Sequence, residues 1–303
     1  MKSIVQNPER TDDLIRFDTY RFYLHSVCAF LSDEHNAWDA FARQWLLEAA
    51  KLPPLTTIDE KWIARFLKLS WNTEYLLAQK IDDVELARVS NQWLPVQAYY
   101  AVYSAAEALA YSIDGHKTEG HAKTLRKTSD WLVKHGPRPW CFAFTGARGK
   151  SGGEAKPVRL PNPLMLPSNL QRIGVQPVQM IAKCLKAEHS HRIDDSWRRG
   201  CGKKKYEYAP PGPTTVLHFL YRLRIKANYG NVDLFLADAP DDEITGFGNH
   251  LRKLCYWTLL MMEIVVRRRI LPSRFDTLAS SYLTGNPDAK HLAMRCRVYL
   301  QAI

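Results

Sequence analysis

AYYAVYSAAEALA, Ala98–Ala110, and YRLRIKANYGNVDLF, Tyr221–Phe235, are the two stretches of this 303-residue chain whose reading decides its fold. The first is an unbroken run of small and aromatic residues, the composition of a helix buried among other helices. The second is a basic helix that closes on Arg224-x4-Tyr229-Gly230, with glycine placed to end it.

Outward from Ala98–Ala110, helix follows helix. Asp12–Leu31 and Ala37–Lys51 carry apolar residues at three- and four-residue spacing, and Pro53-Pro54 ends the second. Thr57, with Glu60 three positions on, predicts a capping box opening a helix over Asp59–Lys80, with Trp62, Phe66, Leu69, Leu76 and Leu77 as its apolar set. A helix is expected from Val89 to Ile113, closed by Asp114-Gly115; Pro95 in its first two turns is an alternative start. Gly120–His135 follows, stopped by Gly136-Pro137. Beyond Thr214 the helical signal runs to Tyr229, then resumes over Glu243–Ile270 after an acidic turn at Asp238, Asp241 and Asp242. Arg267, Arg268 and Arg269 read as end-capping of that long helix, which Pro272 closes before one or two short helices. No strand alternation stands out, so the fold class is mostly α.

Residues 136–213 break this pattern. They hold 10 of the 17 prolines and 9 of the 15 glycines, and only Val178–Lys186 reads as a short helix. They also carry 14 Lys/Arg against 5 Asp/Glu, hence +9 of the chain's net +11. A field so concentrated suits a polyanion. The expectation is an inserted basic subdomain or a long ordered loop.

The most apolar run, Leu254–Val266, contains Glu263 and is thirteen residues long, short of the roughly 20 a bilayer span needs. MKSIVQNPER at the start lacks an apolar core of signal-peptide length. Six dispersed cysteines form no disulfide framework and read as reduced thiols of a cytoplasmic protein.

In order, Tyr99, Tyr100, Ala105, Ala106 and Ala108, then Gly115 and His121, then Arg224-Ile-Lys-Ala-Asn-Tyr-Gly resemble the HEPN family, helical proteins of prokaryotic toxins, RNases and antiviral systems. The resemblance covers about residues 59–135 and 214–271, and the last heptapeptide looks like the Arg-x-x-Ala-Asp-Tyr-Gly signature of one branch. It implies an up-and-down bundle of four or five helices. Catalytic members look like metal-independent RNases with Arg-x4–6-His at a dimer interface, where guanidinium stabilises the phosphorane.

Here the sequence departs from the family. No arginine is followed by histidine after four to six residues; Tyr229 stands where that histidine would be. Arg222 and Tyr229 are seven residues apart and share a helical face, whereas Arg224 pairs with Asn228 at i+4. The family alignment favours Arg224 and helical geometry favours Arg222. The candidate catalytic set is therefore Arg224, Arg222, Tyr229, Asn228 and His121.

Trp197 and Tyr206 beside Arg198, Arg199, Lys203, Lys204 and Lys205 are candidates to stack on unpaired bases and hold phosphates, with Arg148 and Lys150 in a flexible basic loop. Gly149-Lys150-Ser151 lacks the glycine spacing of a Walker loop, Phe144 standing at the critical place. Trp140, Phe142 and Phe144 read as the insertion's own small core. Cys184, His189, His191 and Cys201 match no zinc-finger spacing, and neither a metal nor a cofactor is implied.

The reading is thus an N-terminal helical extension (1–57), a HEPN-like bundle (58–271) interrupted by a basic insertion (136–213), and short C-terminal helices (272–303). The resemblance implies an RNA-directed protein of a defence or toxin–antitoxin system, with endoribonuclease cleavage as its activity, and a homodimer through the 214–230 helix. The alternative is a catalytically silent module that docks RNA or a protein partner such as an antitoxin or a defence-complex subunit. A third class is a DNA-associated accessory factor, distinguished by preference for duplex DNA over RNA. No membrane partner is expected.

Overall fold

A computed structural model describes residues 12–35, 38–55, 58–79, 83–149, 152–161, 176–201, 210–230 and 239–301. Helices dominate it: α1 Asp12–His35, α2 Trp38–Ala50, α3 Glu60–Leu77, α4 Val84–Ser90, α5 Leu94–Asp114, α6 His121–His135, α7 Pro177–Cys201 and α8 Val216–Ile225. After α8 come a π-helical turn, Lys226–Gly230, then α9 Asp241–Ile270, α10 Pro272–Gly285 and α11 Lys290–Gln301.

α5 is the axis of the bundle. It packs most extensively on α3 and α9, and α6 and α8 lie on its remaining sides. Its alanines at 98, 101, 105, 106 and 108 are all fully buried, and such small side chains let neighbouring helices approach closely. Pro95 sits in its first turn, where the missing N–H costs nothing, and Gly115 at φ 76° ends it in the left-handed region. The helix expected from Val89 thus begins at Leu94, at the alternative start that Pro95 marked, and α4 ends before it at Ser90. Asp59, not Thr57, caps α3, its carboxylate accepting the Lys61 and Trp62 N–H groups; Thr57 itself lies outside the described residues.

Segment 136–213 differs most from expectation. It holds a 25-residue helix, α7, where only Val178–Lys186 carried a visible signal. It also holds strands: β1 (Ala143–Thr145) pairs antiparallel with β4 (Lys156–Val158), enclosing β2 (Arg148–Gly149) against β3 (Gly152–Gly153). Gly146 bends the chain between them at φ 145°, where a Cβ would stand 1.8 Å from the Glu154 carbonyl oxygen. Phe144 exchanges backbone hydrogen bonds of 3.1 and 2.9 Å with Thr214, tying the hairpin to the entry of α8. Trp140, Phe142 and Phe144 are buried in the common core rather than in one of their own. Trp140 lies against Phe41 of α2 and donates to Thr258 of α9 at 3.0 Å, and Phe142 meets Phe30 of α1. One connected set of buried side chains runs from Phe17 to Tyr299 through all these segments.

Two charged devices lock the ends. Arg295 of α11, fully buried, donates to Glu74 of α3 (2.5 and 2.7 Å) and Glu263 of α9 (2.8 and 2.9 Å). Trp71 and Tyr299 also donate to Glu263, at 2.8 and 2.6 Å. The arginine triplet serves neighbours besides its own helix end. Arg267 clamps Asp276 with two bonds of 2.8 Å, Arg268 donates to Leu52 O, and Arg269 donates to Ser112 O and Ile113 O at the end of α5. No helix among the described residues is long and apolar enough to cross a membrane.

Candidate functional site

α5 places Tyr99, Tyr103 and Glu107 at successive i+4 positions, with Tyr100 beside them, so one helical face carries three phenols and a carboxylate. Glu107 is 3% exposed and accepts from Tyr103 Oη (2.5 Å), Thr124 Oγ1 (2.5 Å) and Thr118 Oγ1 (2.9 Å). Three donors satisfy a carboxylate that burial would otherwise make costly. They also fix the loop between α5 and α6, which delivers His121 as the first residue of α6.

His121 Nδ1 lies 2.7 Å from Tyr99 Oη, with the proton on either partner according to the tautomer. Its ring is 4.2 Å from that of Tyr103 and is stacked with Tyr221 of α8 at 6.2 Å. Arg224 enters from α8. Its Nη2 donates to Tyr100 Oη at 2.9 Å, and the guanidinium carbon sits 5.3 Å from the Tyr100 ring centroid and 5.7 Å from that of Tyr99.

The electrostatics follow from this crowding. Burial, then the Arg224 charge, lowers the His121 pKa, while Glu107 acts weakly the other way. The positive end of the α6 dipole also disfavours the imidazolium. His121 is thus neutral at pH 7, with Nε2 left for a ligand. Burial and the bond to Glu107 push the Tyr103 phenol up to about 12, and burial raises Tyr99 further. Neither tyrosine is a base at neutral pH. The cluster therefore combines a neutral imidazole, a guanidinium fork and aromatic faces, the groups that handle phosphate esters of nucleotides.

Arg222 takes no part in it. It points to the opposite side of α8, where its Nε is 3.7 Å from Glu188 of α7. The structure thus brings Arg224, but not Arg222, to His121. Asn228 lies in the π turn after α8, so the i+4 pairing read from an ideal α-helix does not carry over to it. Tyr229 is described only as backbone of that turn.

Among the basic-loop candidates, the Arg148 guanidinium stacks 4.6 Å over the Trp197 ring, joining the hairpin to α7. Arg198 is exposed and 3.6 Å from Asp195. Arg199 is described only as helix backbone, and Lys150, Lys203, Lys204, Lys205 and Tyr206 lie outside the described residues. His189 turns inward to Thr214 at 2.8 Å while His191 is exposed, so α7 holds the two histidines apart. No metal-binding group of three or more ligands exists among the described residues.

Tyr103, Glu107, Thr118, Thr124 and Tyr221 are the site residues the sequence did not single out. A glutamate inside an otherwise apolar helix, at i+4 from Tyr103, was the signal available for two of them. No family model matches the chain, and neither the curated proteins nor the solved structures hold a significant match to it.

Proposed function

We propose that this chain is an RNA-directed, HEPN-like protein and that the Arg224–His121 cluster is a metal-independent endoribonuclease site. The observation that carries the reading is spatial. Arg224 and a histidine meet across Tyr99 and Tyr100 although they stand on different helices. The histidine that the linear motif lacks is thereby supplied by the start of α6.

In this reading Arg224 holds the scissile phosphate and offsets the charge of the pentacoordinate phosphorus. His121 Nε2 takes the proton of the ribose 2′-hydroxyl as its oxygen bonds to phosphorus. The P–O5′ bond breaks, leaving a 2′,3′-cyclic phosphate, and the 5′ oxygen departs with a proton taken from solvent water. The cluster contributes one guanidinium and one imidazole, and a homodimer through the helix bearing Arg224 would pair two such clusters in one groove. A prokaryotic defence or toxin–antitoxin setting accords with this chemistry.

The test is cleavage of total and transfer RNA by purified protein in EDTA. Arg224→Ala and His121→Ala each reduce cleavage by about 10²-fold or more. The wild-type rate rises with pH as the His121 imidazole loses its proton, a step that burial and Arg224 move below the ordinary histidine value, and is level at neutral pH and above. A second reading, a silent module that binds RNA or a protein, draws on the bonds Arg224 already makes to Tyr100. RNA that stays intact but binds salt-sensitively selects it, and neither cleavage nor binding overturns the RNA reading.

A further inference from the structure

On the other side of α8 from Arg224, a groove of about 230 Å³ opens between α1, α7 and α8. Tyr20 and Phe219 form its aromatic wall, their ring centroids 6.0 Å apart. Arg16, Lys183 and Arg222 line it from three different helices. Lys226 adds a fourth cation, and its pKa is lowered by burial and then by the repulsion of Arg222 and Arg16. Among the described lining residues one is a carboxylate, Glu188, half-buried and 3.7 Å from Arg222.

Three cations line a small groove with an aromatic wall, and Lys226 stands close to two of them. Three helices bring this charge to one cleft, where it focuses the field. A phosphate group satisfies it, and a flat base completes the fit against the aromatic wall.

We propose that this groove binds one unpaired nucleotide of a nucleic-acid strand. Its phosphodiester rests on Arg16, Lys183 and Arg222, and its base lies against Tyr20 and Phe219. The site is separate from the Arg224–His121 cluster and does not depend on cleavage there.

Glu188 makes the affinity pH-dependent. Burial pushes its carboxyl up to about 7 despite Arg222, Arg192 and Lys226, with Asp195 adding to the rise. Tyr20 and Tyr23 face it from α1, and burial raises both phenols, so neither ionises near neutrality. His191, lowered by burial and Arg222, stays neutral above its ordinary value. Glu188 is therefore the group that changes charge between pH 6 and 8. Once protonated, it no longer competes with phosphate for Arg222.

The test uses full-length protein and two dinucleotides that a 2′-hydroxyl attack cannot cleave, 2′-O-methylated UpU and TpT, with inorganic phosphate as the third arm. Their phosphodiesters keep one charge from pH 6 to 8, so any pH effect belongs to the protein. Calorimetry is expected to show at least one dinucleotide binding tighter than phosphate, and tighter at pH 6 than at pH 8 by roughly threefold to tenfold. Glu188→Gln flattens that dependence. Arg16→Ala with Lys183→Ala weakens binding by roughly tenfold or more while thermal melting shows the fold retained. Binding of both dinucleotides makes the site one for single strands of either sugar, and UpU alone makes it one for RNA. Inorganic phosphate binding as well as either dinucleotide, or no binding in any arm, overturns the proposal. A pH-independent affinity in wild type overturns the role of Glu188.

Discussion

His25 of α1 and His250 of α9 meet with Nδ1 of one 3.3 Å from Nε2 of the other, their rings at 74°. Arg21 and Lys253 add positive charge beside them. Burial, then His25, Lys253 and Arg21, lowers His250 to about 4, and the same kinds of cause lower His25. The unfolded chain takes up the proton near 6.5, and the folded one resists until about 4. The folded state therefore binds fewer protons in that window, and stability is full above pH 6.5 and falls as pH drops through it. Urea midpoints measured from pH 7.5 to 4.5 should decline, and His250→Gln should make the decline shallower. An equal slope in the variant would assign the acid sensitivity to other groups, such as the inward-facing His189.

At the scale of elements, α7 shows where sequence periodicity stops being informative. Its buried positions, Met180, Ile181, Ala182, Leu185, His189 and Ile193, are spaced for a helix, but the last turns interleave them with charges and a histidine. His189 occupies a core position only because Thr214, brought across by the hairpin, bonds to its ring. Such a partner is tertiary information that local pattern does not contain. α5, by contrast, was legible in full: proline at its start, glycine at its end and small residues between. The division of labour between Arg222 and Arg224 was legible only as two alternatives. Helical geometry put them on different faces, but only α6 and α7 reveal what each face meets. The cap of α3 was misread by two residues because Asp59 competes with Thr57 for the same role.

α11 supplies a prediction on this scale. Arg295 neutralises two buried carboxylates, and removing it strands both. Arg295→Ala is expected to cost about 3–5 kcal/mol, read as a lowered urea midpoint. Arg295→Met with Glu74→Gln and Glu263→Gln should recover part of that loss, because no charge is then left unpaired. A loss under about 1 kcal/mol in the single variant would mean that water reaches the site.

For the whole molecule, the packing of segment 136–213 sets the expectation. Its Trp140 and Phe142 pack against α1, α2 and α9, and α7 lies along α1. Unfolding should therefore be one cooperative transition by far-ultraviolet dichroism and by the fluorescence of the nine tryptophans, Trp140 and Trp257 among them. Hydrogen exchange should protect the buried amides of α7 as strongly as those of α9. Two transitions, or early exchange throughout α7, would make this segment an independent unit. Composition misled here because proline and glycine were counted over the whole stretch. Much of that count falls at the two ends and in the hairpin, while Pro177–Cys201 is helix.

The ion cluster under α11 also orders events during synthesis. Glu74 and Glu263 leave the ribosome before the arginine that compensates them, 221 and 32 residues later. Until Arg295 emerges, closing α3 against α9 would bury two like charges together, so the growing chain should hold that seam open and wet. Translation past α11 then acts as the latch: the helix that carries Arg295 is the one that lets α3 shut against α9.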